Sequence, residues 1–237
     1  MKLFVGTSGW MYPWNEGNSL KWYYERTGLN AVELNMSFYR FPNSRQINSW
    51  SKYKLSWSIK VNRLITHTYK LNEKGIELLR KFIDIVKPLN PDNLLFQLPP
   101  SYSAKNADHV IDVINSLKLH DIAVVEPRHL SWFEEKIYSL FRKNDITLAS
   151  IDSPLGVYIV NTTGKIYLRM HGRTEWYMYD YSVNEIVEDI NKIMDLKPEV
   201  TYVFFNNDLW MLENAKILVN MFKNRGIELT PLRGDEI

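Results

Sequence analysis

The chain has 237 residues, 45% of them hydrophobic, a formal net charge of +2 and no cysteine. That length suits one large α/β domain, and the near-neutral charge carries no nucleic-acid footprint. The lack of cysteine removes disulfides, thiolate metal sites and cysteine nucleophiles. No basic, apolar and small-residue leader opens the chain, and no window approaches the roughly 18 apolar residues of a membrane span, so a cytoplasmic protein without a membrane partner is expected.

In chain order, Leu3-Phe-Val-Gly6 reads as a short strand ending in Thr7-Ser8-Gly9-Trp10. Ser19 to Gly28 follows as a helix, with Ser19 as cap and Gly28 as stop. Asn30-Ala-Val-Glu-Leu-Asn35 is the second strand, Ser44 to Tyr53 a helix, and Leu55 to Arg63 the third strand, with Thr66-His67 in the loop beyond. Asn72 to Val86 carries apolar residues at helical spacing and ends at Pro88. Asn93 to Leu98 is the fourth strand, stopped by Pro99-Pro100, and Ala107 to Leu117 the next helix.

Asp121-Ile-Ala-Val-Val-Glu-Pro-Arg-His129 is the fifth strand, an apolar run leading into a carboxylate, a guanidinium and an imidazole. Ser131 is expected to cap a helix through Phe141, with Glu134 and Glu135 in its first turn. Ile146 to Asp152 is the sixth strand and Lys165 to Gly172 the seventh. Ser182 to Met194 is a helix with a Ser182/Glu185 capping box, Val200 to Asn207 the eighth strand, and Trp210 to Asn224 the last helix.

Eight strands, nearly every one followed by a helix and none separated by a linker, predict a single (β/α)8 barrel domain over residues 1–237. The crossover between strands six and seven, only about a dozen residues, lacks room for a full helix. An open doubly wound sheet is the alternative, but its Gly-rich phosphate turn is missing.

In such barrels the loops after the carboxyl ends of the strands build the active site. The polar strand ends give the candidate site. Glu126, Lys60, His171 and Asp152 are the catalytic candidates; Arg128, Arg169, Glu33, Asn35, Gln97, Asn206, Trp10 and Tyr39 are the substrate-binding ones. Lys60, Arg128 and Arg169 suit an anion, Glu126 suits general acid or base work, and His171 or Asp152 would assist. Plain ion pairs compete with those roles: Glu33 with Lys60, and Glu126 with a neighbouring arginine. Eight tryptophans, 14 tyrosines and ten phenylalanines suggest rings along a groove or ordinary loop packing. No metal ligand set is assigned. A divalent ion on Glu33, Glu126, Asp152 and His171 is conceivable, but neighbouring Lys and Arg argue against it, and no dinucleotide fingerprint is present, which leaves the cofactor open.

The landmarks Gly6-Thr-Ser-Gly-Trp10 with Tyr12 and Trp14, Val32-Glu-Leu-Asn35 with Phe38-Tyr39, Lys60 with Thr66-His67, and Phe96-Gln-Leu-Pro-Pro100 stand in order. Glu126-x-Arg128-His129 with Ser131-Trp132, Asp152-Ser-Pro154, Tyr167-Leu-Arg-Met-His-Gly172 and Phe204-Phe-Asn-Asn207 complete the series. Together they resemble the domain-of-unknown-function family 72, the YecE-like proteins, over essentially the full length. The resemblance implies a (β/α)8 barrel and no established activity, cofactor or partner. Met170 stands where Leu is usual and Met36 where a small residue often sits.

The expectation is an enzyme, of hydrolase or isomerase/lyase type, acting on a small phosphorylated or carboxylated molecule. A nuclease- or repair-like barrel binding nucleic acid and a non-catalytic binding or scaffold protein are the alternatives. Oligomeric state is not legible.

Overall fold

The computed structural model describes residues 1–232. Its strands are β1 (Lys2–Thr7), β2 (Ala31–Leu34), β3 (Ser56–Lys60), β4 (Asn93–Gln97), β5 (Ala123–Glu126), β6 (Thr147–Leu148), β7 (Ser150–Ser153), β8 (Gly156–Tyr158), β9 (Lys165–Met170) and β10 (Val200–Phe205). The α-helices are α1 (Leu20–Arg26), α2 (Ser44–Trp50), α3 (Glu73–Val86), α4 (Ala107–Ser116), α5 (Glu135–Lys143), α6 (Val183–Asp195) and α7 (Met211–Lys223). The strands form two five-stranded sheets, ordered β1-β10-β9-β7-β8 and β2-β3-β4-β5-β6, and no single sheet closes on itself.

The chain divides into two compact units. The first takes Met1–Glu33, Tyr53–Ser56 and the chain from Ser150 onward. Its β1, β10, β9 and β7 run parallel, with Val5 opposite Val203 and Phe204 opposite Arg169. Parallel neighbours place their carboxyl ends at one edge of the sheet, which is why the polar residues after β1, β9 and β10 gather. Gly6 is required by close approach: a Cβ there would lie 2.3 Å from the Ala31 carbonyl oxygen. Asn30 finishes the strand start, accepting from the Val5 N–H at 2.9 Å and donating to Leu3 O at 3.0 Å. Thr230 adds a last rung: Leu3 N donates to its hydroxyl and its N–H donates to Leu3 O.

The second unit takes Leu34–Lys52 and Trp57–Ala149. β3, β4, β5 and β6 are parallel, with Lys60 opposite Leu95, Gln97 opposite Glu126 and Val125 opposite Leu148. Their residues are buried throughout, as a sheet covered on both faces requires. α3 turns Leu79, Phe82 and Val86 inward, the stripe its 3.6-residue period sets, and Asn72 caps it. α4 does the same with Val110, Ile111, Val113 and Ile114.

Four sequence expectations need correction. The sixth strand is not continuous. It breaks at Ala149 into β6 of one sheet and β7 of the other, because the Ser150 side chain takes over a backbone role: its hydroxyl accepts from Val160 N at 3.0 Å and lies 3.2 Å from Val160 O. The stretch before β9 has no full helix, as expected, but it holds the additional strand β8, antiparallel to β7 across a turn at Gly156 with φ +126°. Ser131 does not cap α5. Its hydroxyl accepts from Ala104 N at 2.9 Å, Leu130–Trp132 forms a separate 3-10 turn, and α5 starts only at Glu135. Finally, Thr66-His67 lies in a π-helical turn, Leu64–Thr68, rather than in an open loop.

Candidate functional site

Each unit collects polar side chains at the carboxyl ends of its strands. In the second unit β3 ends at Lys60, β4 at Gln97 and β5 at Glu126; these three and Arg128 are all buried. An ionised carboxylate with no exposed surface needs compensation, and Arg128 Nη2 supplies it at 2.9 Å from Glu126 Oε1. The Lys60 ammonium sits over the Phe38 ring, 4.3 Å from its centroid. The same ring meets His67 edge-on, with centroids 5.1 Å apart.

Local hydrogen bonding explains how His67 reaches this group. Ser37 Oγ lies 2.6 Å from both Leu34 O and Lys60 O, tying the turn after β2 to the end of β3. Asn62 donates to Ser37 O at 2.9 Å and accepts from Leu64 N at 3.0 Å, which starts the π-helical turn. His67 emerges from that turn half-buried, with Nδ1 2.9 Å from the Thr66 hydroxyl. Burial and then the positive charges of Lys60, Arg128 and Arg63 push its imidazole down to about 4, while Glu126 opposes them. His67 is therefore neutral near pH 7. Asn35 contributes a buried amide oxygen that no donor among the described residues fills, and Tyr39 is 67% exposed.

In the first unit Glu33 has no exposed surface and its carboxylate is held from both sides. Oε1 accepts from Ser8 Oγ at 2.9 Å and Arg169 Nη2 at 2.6 Å; Oε2 accepts from Tyr167 OH at 2.9 Å and Arg169 Nε at 2.8 Å. This is a two-pronged Arg–carboxylate pair with further donors on both oxygens. His171 is buried next to it, Nε2 3.3 Å from Arg169 Nη1 and Nδ1 3.1 Å from the Asn206 amide. A guanidinium can only donate, so Nε2 accepts and Nδ1 carries the proton. Nδ1–H then needs an acceptor, which sets the oxygen of the Asn206 amide, not its nitrogen, toward the ring.

A second knot in the same unit surrounds Arg173. Its Nε donates to Asp152 Oδ2 at 2.8 Å, Nη1 to Glu188 Oε2 at 2.7 Å and Nη2 to Asp189 Oδ1 at 3.1 Å. Tyr181 OH donates to Asp152 Oδ1 at 3.0 Å. Burial, then Asp152, raises the Asp189 carboxyl to about 8. Among the described residues no three His, Asp or Glu side chains form a set that could hold a metal, and no helix is long and apolar enough to cross a membrane.

The model of a family described as "Protein of unknown function DUF72" matches residues 4–233. The chain belongs to the DUF72 family. A DUF72 family protein of Thermotoga maritima is 25% identical, with 94% of this chain and 100% of that one covered at a TM-score of 0.78. One of Enterococcus faecalis is 18% identical, covers 99% of both chains and superposes at a TM-score of 0.80. A xylose isomerase domain containing protein of Salmonella typhimurium, 14% identical over 94% of this chain and 96% of that one, shares the fold alone at a TM-score of 0.58. No curated protein matches the chain.

This DUF72 protein thus brings Lys60, Gln97, Glu126 and Arg128 to neighbouring strand ends in one unit, and Glu33, Arg169, His171 and Asn206 together in the other. Glu33 is held by Ser8, Tyr167 and Arg169, and Glu126 by the arginine two residues on. Trp10 is buried, while Tyr39 is exposed. Three residues were not among the sequence candidates. His67 lies only a few positions past the end of β3. Arg173 follows the Gly172 turn. Asp189 falls on the buried stripe of α6 with Ile186, Ile190 and Ile193, where a carboxylate in an apolar face was the visible signal.

Proposed function

We propose that Lys60, His67, Glu126 and Arg128 are the working group of an acid–base enzyme, of hydrolase or isomerase type, acting on a small phosphorylated or carboxylated molecule. What carries the reading is His67: a half-buried imidazole kept unprotonated first by burial and then by the cations Lys60, Arg128 and Arg63, beside a carboxylate. Lys60 and Arg128 supply positive charge for the anionic group of the substrate, Arg128 as a planar fork and Lys60 as a point charge. With Nδ1–H given to the Thr66 hydroxyl, His67 Nε2 presents a lone pair and takes a proton from the substrate. Glu126, poised by Arg128, orients the substrate or relays that proton. Gln97, opposite Glu126, and the buried oxygen of Asn35 add hydrogen-bonding groups for substrate hydroxyls or amides.

The proposal includes a closed (β/α)8 barrel as a single domain, supported by the strand–helix alternation and the DUF72 membership, and a cytoplasmic setting. His171, Arg169 and Asp152, with buried partners of their own, act in this reading as supports of the strand ends rather than as reacting groups.

The test is a thermal-shift screen of phosphorylated and carboxylated metabolites on the intact protein, then kinetics on the hit. His67→Asn and Glu126→Gln are expected to lower kcat about 10²–10⁴-fold, and Lys60→Ala chiefly to raise KM. Full activity of both His67→Asn and Glu126→Gln would overturn the assignment. Salt-dependent binding of short single strands, with no small-molecule hit, would favour a nucleic-acid ligand instead.

A further inference from the structure

The segment from Gly172 to Tyr181 follows β9 and covers His171. Its two ends are tied together, Gly172 N donating to Tyr181 OH at 2.8 Å, and Tyr177 N returns to His171 O at 2.7 Å. The Trp176 and Tyr177 rings lie 5.4 and 5.8 Å from the imidazole centroid, and His171 has no exposed surface. Closure strains the backbone. Gly172 has φ +103°, and a Cβ there would lie 2.4 Å from Glu175 O; Tyr177, an aromatic residue, has φ +70°. Such conformations persist only when surrounding contacts enforce them.

The enforcing contact is Arg173. Within one guanidinium it bridges Asp152 on β7 and Asp189 on α6, both fully buried, and reaches the exposed Glu188. One atom in this knot lacks a donor: Asp189 Oδ2 is buried and accepts no hydrogen bond from any group among the described residues. A buried carboxylate oxygen without a donor is costly, and two buried carboxylates side by side repel. A single proton held between Asp189 and Asp152 removes both difficulties. It leaves the pair with one negative charge, matched by Arg173.

We propose that Asp152 and Asp189 share one proton and, with Arg173, form a pH-sensitive latch that holds the 172–181 segment closed over His171 and releases it when the proton is lost. The other charged or titratable groups facing the pair are Tyr181 and Tyr179 on the segment itself and Glu185, Glu188 and Lys192 on α6. Glu185 is tied to Tyr179 and Ser182, and Glu188 to Arg173 and Lys192; the positive charges of Arg173 and Lys192 oppose the upward shift at Asp189 but do not outweigh burial and Asp152. Deprotonation leaves two buried carboxylates on one guanidinium, and the strained segment is freed to relax. The raised pKa of Asp189, near 8 and caused first by burial and then by Asp152, places the transition on the alkaline side of neutrality. This inference stands independently of the proposed chemistry at His67.

The test is amide hydrogen exchange of the intact protein from about pH 6.5 to pH 9.5, corrected for intrinsic rates. Protection across residues 173–180 is expected to fall about tenfold or more through the transition, while α4 keeps its protection. Asp189→Asn, which stays neutral and keeps a donor, is expected to hold the segment protected at every pH. Constant protection in the native protein, parallel loss in α4, or an unchanged pH dependence in Asp189→Asn would each overturn the latch. Should that variant not fold, carbon-13 labelling of the aspartate carboxyls in the native protein decides: a side chain titrating near about pH 8 supports the shared proton, and none titrating there overturns it.

Discussion

Replacing Arg169 with Met tests the buried polar frame of the first unit. The aliphatic stem survives, but Glu33 loses two of its four donors: Nε at 2.8 Å from Oε2 and Nη2 at 2.6 Å from Oε1. Ser8 and Tyr167 remain, and neither carries charge. Glu33 has no exposed surface, so water cannot replace the guanidinium. Removing one partner of a buried ion pair costs about 3–5 kcal/mol. For a chain of this size that corresponds to a fall in Tm of roughly 6–20 °C. Urea unfolding followed by circular dichroism measures the loss. The informative control is Glu33→Gln in the Arg169→Met background, which takes away the stranded charge. It is expected to restore at least about 1–2 kcal/mol, a non-additivity characteristic of contacting residues. A loss below about 1 kcal/mol, or a cost equal in both backgrounds, would refute the claim that Arg169 compensates Glu33.

Two further outcomes follow from the geometry. His67 is depressed from 6.5 to about 4, so its unfolded form takes up a proton first as pH falls; its contribution to stability is complete above about 6.5 and is lost between there and 4. Proton NMR of the ring is expected to titrate near 4, and the acid limb of kcat/KM, on the proposed reading, falls there as well; a midpoint near 6.5 would remove the basis for that reading. Gly6→Ala forces a Cβ to within 2.3 Å of the Ala31 carbonyl oxygen, backbone against backbone. A loss of about 2–3 kcal/mol or more is expected from such overpacking, read as a lower urea midpoint, and a neutral substitution would refute the close approach.

The elements were legible where local chemistry decides them. Ser19 and the Ser182/Glu185 box cap the helices they were expected to cap, and the apolar stripe of α3 turned inward as its spacing required. Legibility failed where a side chain took over a backbone role. Ser150 satisfies Val160 and splits a strand that hydropathy reads as continuous; His129 accepts from Ser131 N and keeps that serine out of the α5 cap. At the candidate site, strand-end carboxylates and cations were visible as breaks in apolar runs. Partner choice was not. Glu33 pairs with an arginine 136 positions away, a fact of strand order rather than local pattern. His67 was visible as an imidazole past the third strand, but its place in this group was not, because a π-helical turn, set by Asn62, has no simple signature in composition.

The rung between Leu3 and Thr230 has a consequence for how the protein is made. β1 is translated long before its sheet partner β10, which begins only at Val200, and before Thr230, which supplies its last hydrogen bonds. The second unit is almost continuous in sequence and is complete once Ala149 has been translated. Synthesis therefore imposes an order in which that unit can collapse while β1 waits with open hydrogen-bonding groups. Such widely separated pairings close slowly. The exposed strand is a natural substrate for a chaperone, and the interval before β10 emerges is when the nascent chain is most prone to pair wrongly.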